Sequence, residues 1–201
     1  MFKFIKAEEY FNITIGKTPP RKEKECFSTS SKDVKWISIS DLKDCGVFIS
    51  DSSEYLVKEA IDSYNVKIVP NNTVVLSFKL TIGRVAITDG EMATNEAIAH
   101  FRTKNDYIVE YLYCYLKRFK FDNLGSTSSI AKAINSKIIK SMIIMIPDDY
   151  LLKEFHEFAK PIMKTIKNKL RENKKLIKLR DTLLPKLMNG EIDVSNISLE
   201  E

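Results

Sequence analysis

Three groups of residues have the types and spacing to grip a polyanion. Thr18, Arg21, Lys22 and Lys24 stand in one short stretch ahead of a β-branched run. Lys79, Thr81 and Arg84 surround Gly83 between two further runs of that kind. Ser126, Thr127 and Lys132 belong to the polar stretch 125–132, Gly-Ser-Thr-Ser-Ser-Ile-Ala-Lys. Lysine and arginine neutralise phosphates, hydroxyls donate to phosphate oxygens, and an arginine on a hairpin tip can pair with guanine O6 and N7. Gly83 would let the backbone come close to such a ligand. Each group also has a plainer reading. Lys22 and Lys24 alternate with Glu23 and Glu25 as in a solvated loop, Lys79 and Arg84 would serve as strand-end surface charges, and the hydroxyls of the third group would cap a helix.

Chemistry of other kinds finds little support. His100 and His156 have no partner at ligand spacing, so both read as structural or surface histidines and no metal site is expected. Cys26, Cys45 and Cys114 are odd in number, widely separated and not arranged as C-x-x-C, which argues for reduced thiols. Neither a glycine-rich nucleotide loop, nor an Asn-Pro-Pro-Tyr motif, nor a nuclease-like carboxylate cluster occurs in the sequence. Trp36, within a strand-like run, reads as a core aromatic and not as a base-stacking surface.

The elements that must hold these loops are of two kinds. In residues 1–148, short β-branched runs (Val34 to Ile39, Val74 to Phe78, Val85 to Thr88, Met142 to Ile146) sit between turn signals. Helical stretches interrupt them at Ala7 to Phe11 and at Asp106 to Phe119, where Ile108, Leu112, Tyr115, Leu116 and Phe119 share one face. Many short strands and few helices, with no regular alternation, predict an α+β class with an irregular, partly closed mixed sheet and not a doubly wound one.

At Pro147-Asp148-Asp149 the period changes. From 149 to 190, Phe155, Phe158, Ile162, Ile166, Leu170, Ile177, Leu184 and Leu187 recur at helical spacing, widened by Leu176, Leu179 and Leu183. Asn189-Gly190 ends the pattern, and Pro161 could kink its early turns. About 40 residues at 1.5 Å each make a helix of roughly 60 Å, longer than a domain of this size can cover. Its stripe therefore needs another helix, in a coiled-coil-like or antiparallel pair. With one such helix in the sequence, the partner is expected from another molecule.

The net charge is +5, with 44% hydrophobic and 29% charged residues, a globular composition. The excess is local. Lys153 to Met188 hold eleven Lys and Arg against four Asp and Glu, residues 1–152 are nearly balanced, and the stretch 191–201 is an acidic tail. The longest apolar stretch, Met142 to Pro147, is far short of the roughly 20 residues a membrane span needs, and no secretory signal is recognisable, so a cytoplasmic setting is expected.

In order along the chain, Gly16-Lys17-Thr18-Pro19-Pro20-Arg21, Val34-Lys35-Trp36-Ile37-Ser38-Ile39-Ser40-Asp41-Leu42, Ser77 to Ala86 and Ala93-Thr94-Asn95 form a recognisable series. Gly125-Ser126-Thr127 and the stretch Leu179 to Ile192, with its Leu-Leu-Pro-Lys-Leu-Met-Asn-Gly-Glu-Ile, complete it. Together they resemble the type I restriction-modification specificity subunits, as one half of the usual two-repeat protein. Glu96 stands where the family has glutamine.

The resemblance implies a target recognition domain over 1–148 that reads half of a bipartite double-stranded DNA site. It also implies a spacer and dimerisation helix over 149–190 that docks methyltransferase subunits and, in complexes that have one, a restriction subunit. A subunit of this kind catalyses nothing and holds no cofactor; S-adenosylmethionine, ATP and Mg²⁺ act on its partners. Pairing with itself would give a palindromic bipartite site, and pairing with a different half-subunit an asymmetric one. The competing readings are a helical adaptor that reads no DNA and, less in keeping with the missing motifs, an endonuclease in its own right.

Overall fold

The computed structural model describes residues 1–121, 124 and 134–192. It separates into two compact units, Met1–Pro161 and Ile162–Glu201.

In the first unit the strands fall into three sheets among the described residues. Two of them carry the loops. The five-stranded sheet runs β2 (Asn12–Ile15), β10 (Ile98–Arg102), β7 (Val74–Ser77), β8 (Val85–Thr88), β5 (Phe48–Ile49). The four-stranded sheet runs β3 (Phe27–Ser28), β6 (Glu54–Leu56), β4 (Val34–Ile37), β9 (Ala93–Thr94). The third is a ribbon of β1 (Phe2–Lys6) against β11 (Ile143–Pro147). Neighbours are antiparallel except for β5 with β8 and β4 with β9, which are parallel. The expected mixed α+β arrangement is present, but the strands form three separate pieces and close no barrel.

Local chemistry explains most boundaries. Val74, Val75, Leu76, Val85, Ala86 and Ile87 are all buried, so β7 and β8 read as continuous apolar runs covered on both faces. The Val34 run stops at Ile37, two residues earlier than its β-branched pattern suggests. Asp41 accepts from the Ser38 N–H (2.8 Å) and hydroxyl (2.7 Å), which bends the chain away from the ladder. The helical stretch from Asp106 begins as a 3₁₀ turn capped by the Asn105 side chain, then continues as α3 (Val109–Arg118). α1 (Ala7–Tyr10), α2 (Lys58–Ser63) and α4 (Ser136–Ser141) are short connectors.

Two apolar clusters tie the sheets together. Ile37, Leu42, Ile49, Val69, Val75, Ala86, Met92 and Ile98 form one; Trp36, Leu56, Val66 and Ala93, flanked by Phe27, Val34, Ile61, Tyr64 and Ile68, form the other. Ile37 and Trp36 are consecutive on β4 and face opposite ways, so this strand supplies both clusters.

α5 (Asp149–Met188) is a single helix of 40 residues through Pro161. Asp148 starts it by accepting the Leu151 N–H at 3.0 Å, and Gly190, at φ 72°, follows its end. Its opening turns bury Leu152, His156 and Ala159 within the first unit. His156 Nδ1 lies 2.8 Å from Glu110 Oε2 on α3, both side chains being nearly inaccessible. Phe155 meets the Tyr111 ring edge to face at 6.1 Å. In the second unit every residue from Arg171 to Gly190 is exposed, Leu176, Ile177, Leu179, Leu183, Leu184 and Leu187 among them.

Candidate nucleic-acid interface

Strand register brings distant segments to one edge of the two larger sheets. Ile15 faces Ala99 and Ile98 faces Ser77, so the chain leaving β2, entering β10 and leaving β7 lies at a common end. Ile37 and Thr94 are parallel partners, which brings the exits of β4 and β9 to the same place. The junctions are bonded. The Asn95 N–H donates to Ile37 O (2.9 Å), the Phe78 N–H to Ala97 O (2.9 Å) and the Lys17 N–H to Thr94 O (2.9 Å).

Gly16 makes the first of these turns possible. A Cβ on it would lie 2.1 Å from Thr94 Oγ1 and 2.2 Å from Asn95 O, so no side chain fits where β2 gives way to the loop. Beyond it, Thr18 donates its hydroxyl to Glu96. Burial pushes the Glu96 carboxyl up, but the Thr18 hydrogen bond, its own backbone N–H and the charges of Lys79 and Arg21 outweigh that and leave its pKa below the usual value. Glu96 thus sits ionised in the middle of the basic loops.

Arg21 is engaged within the fold. Its Nη1 and Nη2 donate to the two Glu54 carboxylate oxygens at 2.8 and 3.0 Å, and its guanidinium lies over the rings of Phe27 (4.3 Å) and Trp36 (4.7 Å). That arrangement fixes the loop on the four-stranded sheet and neutralises the charge that would attract a phosphate. Trp36 is a core residue, 2% exposed, with its indole N–H donating to Lys17 O at 3.2 Å. Lys22 and Lys24 are exposed, whereas Glu23 turns inward to take the Tyr64 hydroxyl. Of these alternating charges the cations face solvent, while Glu23 is half-buried against Tyr64.

The 78–84 loop presents Lys79 and Thr81 to solvent, while Arg84 is half-buried and donates from Nη1 to Ile39 O at 2.7 Å. Buried Ser77 ties the loop at its base. Its hydroxyl donates to Thr81 O (2.5 Å) and accepts the Arg84 N–H (3.1 Å), while its carbonyl accepts the Gly83 N–H (3.0 Å). Ser126, Thr127 and Lys132 lie outside the described residues. Of the expected contacts, Thr18, Arg21, Lys79, Thr81 and Arg84 are thus brought to one edge; Lys79 and Thr81 are exposed there, with the Lys79 ammonium 5.9 Å from the Phe78 ring centroid.

Some contributors carry only a faint sequence signal. Glu96 is marked in the chain only as a departure from glutamine. The 38–41 bend, which receives Arg84 and is braced by Asp41 taking the Ser53 N–H (3.0 Å), shows only as Ser-x-Ser-Asp. At the opposite end of the five-stranded sheet, Tyr10, Asn12, Arg102, Thr103, Lys104 and Asn105 line a separate concavity of about 490 Å³.

Both histidines are structural. His100, 0% exposed, is held between the hydroxyls of Thr14 (Nδ1, 2.9 Å) and Thr94 (Nε2, 2.7 Å). Thr94 also donates to Asn95 O (3.1 Å), so its oxygen is left to accept Nε2–H, and Nδ1 accepts from Thr14. Burial and the Arg102 charge hold this neutral imidazole down to a pKa of about 3. Among the described residues no group of three or more His, Cys, Asp and Glu is placed to hold a metal, and no helix is long and apolar enough to cross a membrane.

Residues 1–178 match the family described as type I restriction modification DNA specificity domain, and the chain belongs to that family. It is 30% identical over 185 residues to the type I restriction enzyme HindI specificity subunit of Haemophilus influenzae, covering 90% of this chain and 39% of that protein. To the MjaIX specificity subunit of Methanocaldococcus jannaschii it is 28% identical over 113 residues, 56% of this chain and 26% of the other. The fold is similar to the HsdS subunit of Thermoanaerobacter tengcongensis (TM-score 0.57, 15% identity, 95% of this chain and 45% of that one). It is also similar to the type I restriction-modification S subunit of M. genitalium (TM-score 0.63, 16% identity, 93% and 46%). The chain spans less than half the length of each of these relatives.

Proposed function

We propose that this chain is the DNA-reading component of a type I restriction-modification complex and makes or breaks no covalent bond itself. Residues 1–148 read one half of a bipartite double-stranded DNA site; residues 149–190 space that domain from a second and seat methyltransferase subunits; residues 191–201 are an acidic appendage. S-adenosylmethionine, ATP and Mg²⁺ belong to the partner subunits. The observation that carries this reading is the convergence of the 16–24, 38–41, 78–84 and 95–97 segments on one edge, with Lys79 and Thr81 exposed on a braced loop. Exposed Lys22 and Lys24 add positive charge to the first of those segments, which suits phosphate contact without base choice.

The α5 stripe supports self-association. Ile177, Leu184 and Leu187 are each 41–51% exposed on a helix with a strong basic excess, and water is a poor neighbour for such a row. A second α5 related by a twofold axis covers it, which makes the DNA site a palindrome with an unspecific spacer. Methylome sequencing of a host expressing this chain with its methyltransferase tests both halves of the proposal. A symmetric bipartite methylated motif is expected; an asymmetric one overturns self-pairing, and no motif overturns the DNA reading.

The engagement of Arg21 by Glu54 and of Arg84 by Ile39 O favours a second reading, a helical adaptor whose sheet edge touches no DNA. Arg84→Ala does not separate the two, because it also removes a bond that holds the loop. Lys79→Ala does: a lower DNA affinity with a shallower salt dependence and assembly intact supports DNA reading, and an unchanged affinity and salt dependence support the adaptor.

A further inference from the structure

The tip of the 78–84 loop carries a residue that neither the fold nor its packing calls for. Leu80 has φ 58°, in the left-handed region, and is 97% exposed. The other non-glycine residues with positive φ, among those described, are Asn65 and Asn72, whose short amide side chains tolerate that conformation. Leucine does not, and glycine would make the same turn without penalty. No burial offsets the strain, so the reason for leucine lies outside the folded chain.

The surroundings suit a rigid projection. Ser77 clamps the base of the loop through Thr81 O, the Arg84 N–H and the Gly83 N–H, and Arg84 binds Ile39 O. Gly83, at φ 87°, lets Phe121 come within 3.3 Å of the place a Cβ would take, so an aromatic ring buttresses the loop. Exposed Lys79 and Thr81 flank Leu80, and Ile82 beside them is 38% exposed. A surface for docking another protein needs a contiguous apolar area of several hundred Å², which two side chains on a polar tip do not supply. A single apolar side chain on a stiff, cationic tip is the form used to pry apart a base step.

Resting on the DNA-reading role proposed above, we infer that Leu80 is an apolar wedge that enters the half-site between adjacent base pairs while Lys79 holds the neighbouring phosphate. Leu80 thereby adds specificity through the ease with which that step unstacks. The test uses the full chain assembled with its methyltransferase and duplexes of the methylated motif carrying 2-aminopurine at successive positions. Wild-type binding is expected to brighten the fluorophore at one step. Leu80→Ala should abolish that signal and weaken binding about tenfold with the salt dependence unchanged, and Leu80→Met should retain both signal and affinity. Leu80→Gly, free of the strain, should melt no lower than wild type yet bind like Leu80→Ala. Three outcomes overturn the wedge: no position that brightens, weakened binding of Leu80→Ala with the brightening retained, or a Leu80→Ala chain that releases methyltransferase in the absence of DNA. A wild-type complex with no specific DNA binding at all would instead sink the underlying DNA reading, so the two failures are told apart.

Discussion

Charge at the sheet edge is used in two ways, and the difference lies in what each side chain touches. Arg21 lies flat on Phe27 and Trp36 and is paired with Glu54, whereas Lys79 is exposed beside Glu96. Arg21→Ala should therefore lower stability by about 1 kcal/mol, the worth of a partly exposed ion pair with cation–π contacts, read as a shift in urea midpoint. Lys79→Ala should leave that midpoint unchanged and lower the slope of log affinity against log salt by about 1, as loss of one phosphate contact requires. His100 makes a pH prediction. Its folded pKa of about 3 lies below the ordinary value near 6.5, so between those limits the unfolded chain binds more protons. Stability from this site is whole above about pH 6.5 and is lost as pH falls toward 3, at up to about 1.4 kcal/mol per pH unit. His100→Gln should flatten that part of the stability profile in denaturant titrations run from pH 7 to 4.

Two junctions between elements are sensitive to single atoms. At the exit of β2 the Gly16 position touches Thr94 and Asn95, and Gly16→Ala must move one strand end or the other. About 3 kcal/mol of destabilisation is expected by thermal or chemical denaturation, together with weakened DNA binding, because Thr18 and Glu96 follow directly on that turn. At the root of α5, His156 and Glu110 bury each other. His156→Ala strands the Glu110 carboxyl in the core and should cost about 3 kcal/mol, with hydrogen exchange rising first in α3 and the opening turns of α5. The ends of several elements were legible beforehand. The Asp148 cap and the Gly190 stop are local signals, and they fall where the pattern of residues placed them. The early end of β4 was not, because it depends on Asp41 reaching back to Ser38.

For the whole molecule, the proposed self-pairing rests on the exposed apolar stripe of α5. Ile177→Lys with Leu184→Lys should convert the proposed dimer to a monomer in sedimentation equilibrium and leave the melting of the 1–161 unit unchanged. A double variant that sediments as the wild type does would remove self-pairing through this stripe. Such a monomer should still bind one half-site, weakly and without a spacer preference, since the linked second half no longer adds to its affinity.

The sequence alone determined the long helix, its caps and its apolar row, because helical hydrogen bonds and the 3.6-residue period are local and repeat in the chain. It also determined the family, through motifs whose order survives along the sequence. Tertiary structure alone decided which loops meet, because strand pairing joins residues far apart: β4 with β9, β2 with β10, and β1 with β11 across nearly the whole first unit. It likewise decided that Arg21 and Arg84 are bonded within the fold while Lys79 and Leu80 are exposed. A basic residue in a loop has the same appearance in the sequence whether its charge meets solvent or a carboxylate. Only the fold supplies Glu54 and the Ile39 carbonyl, and with them the distinction between a side chain bonded within the fold and one left exposed.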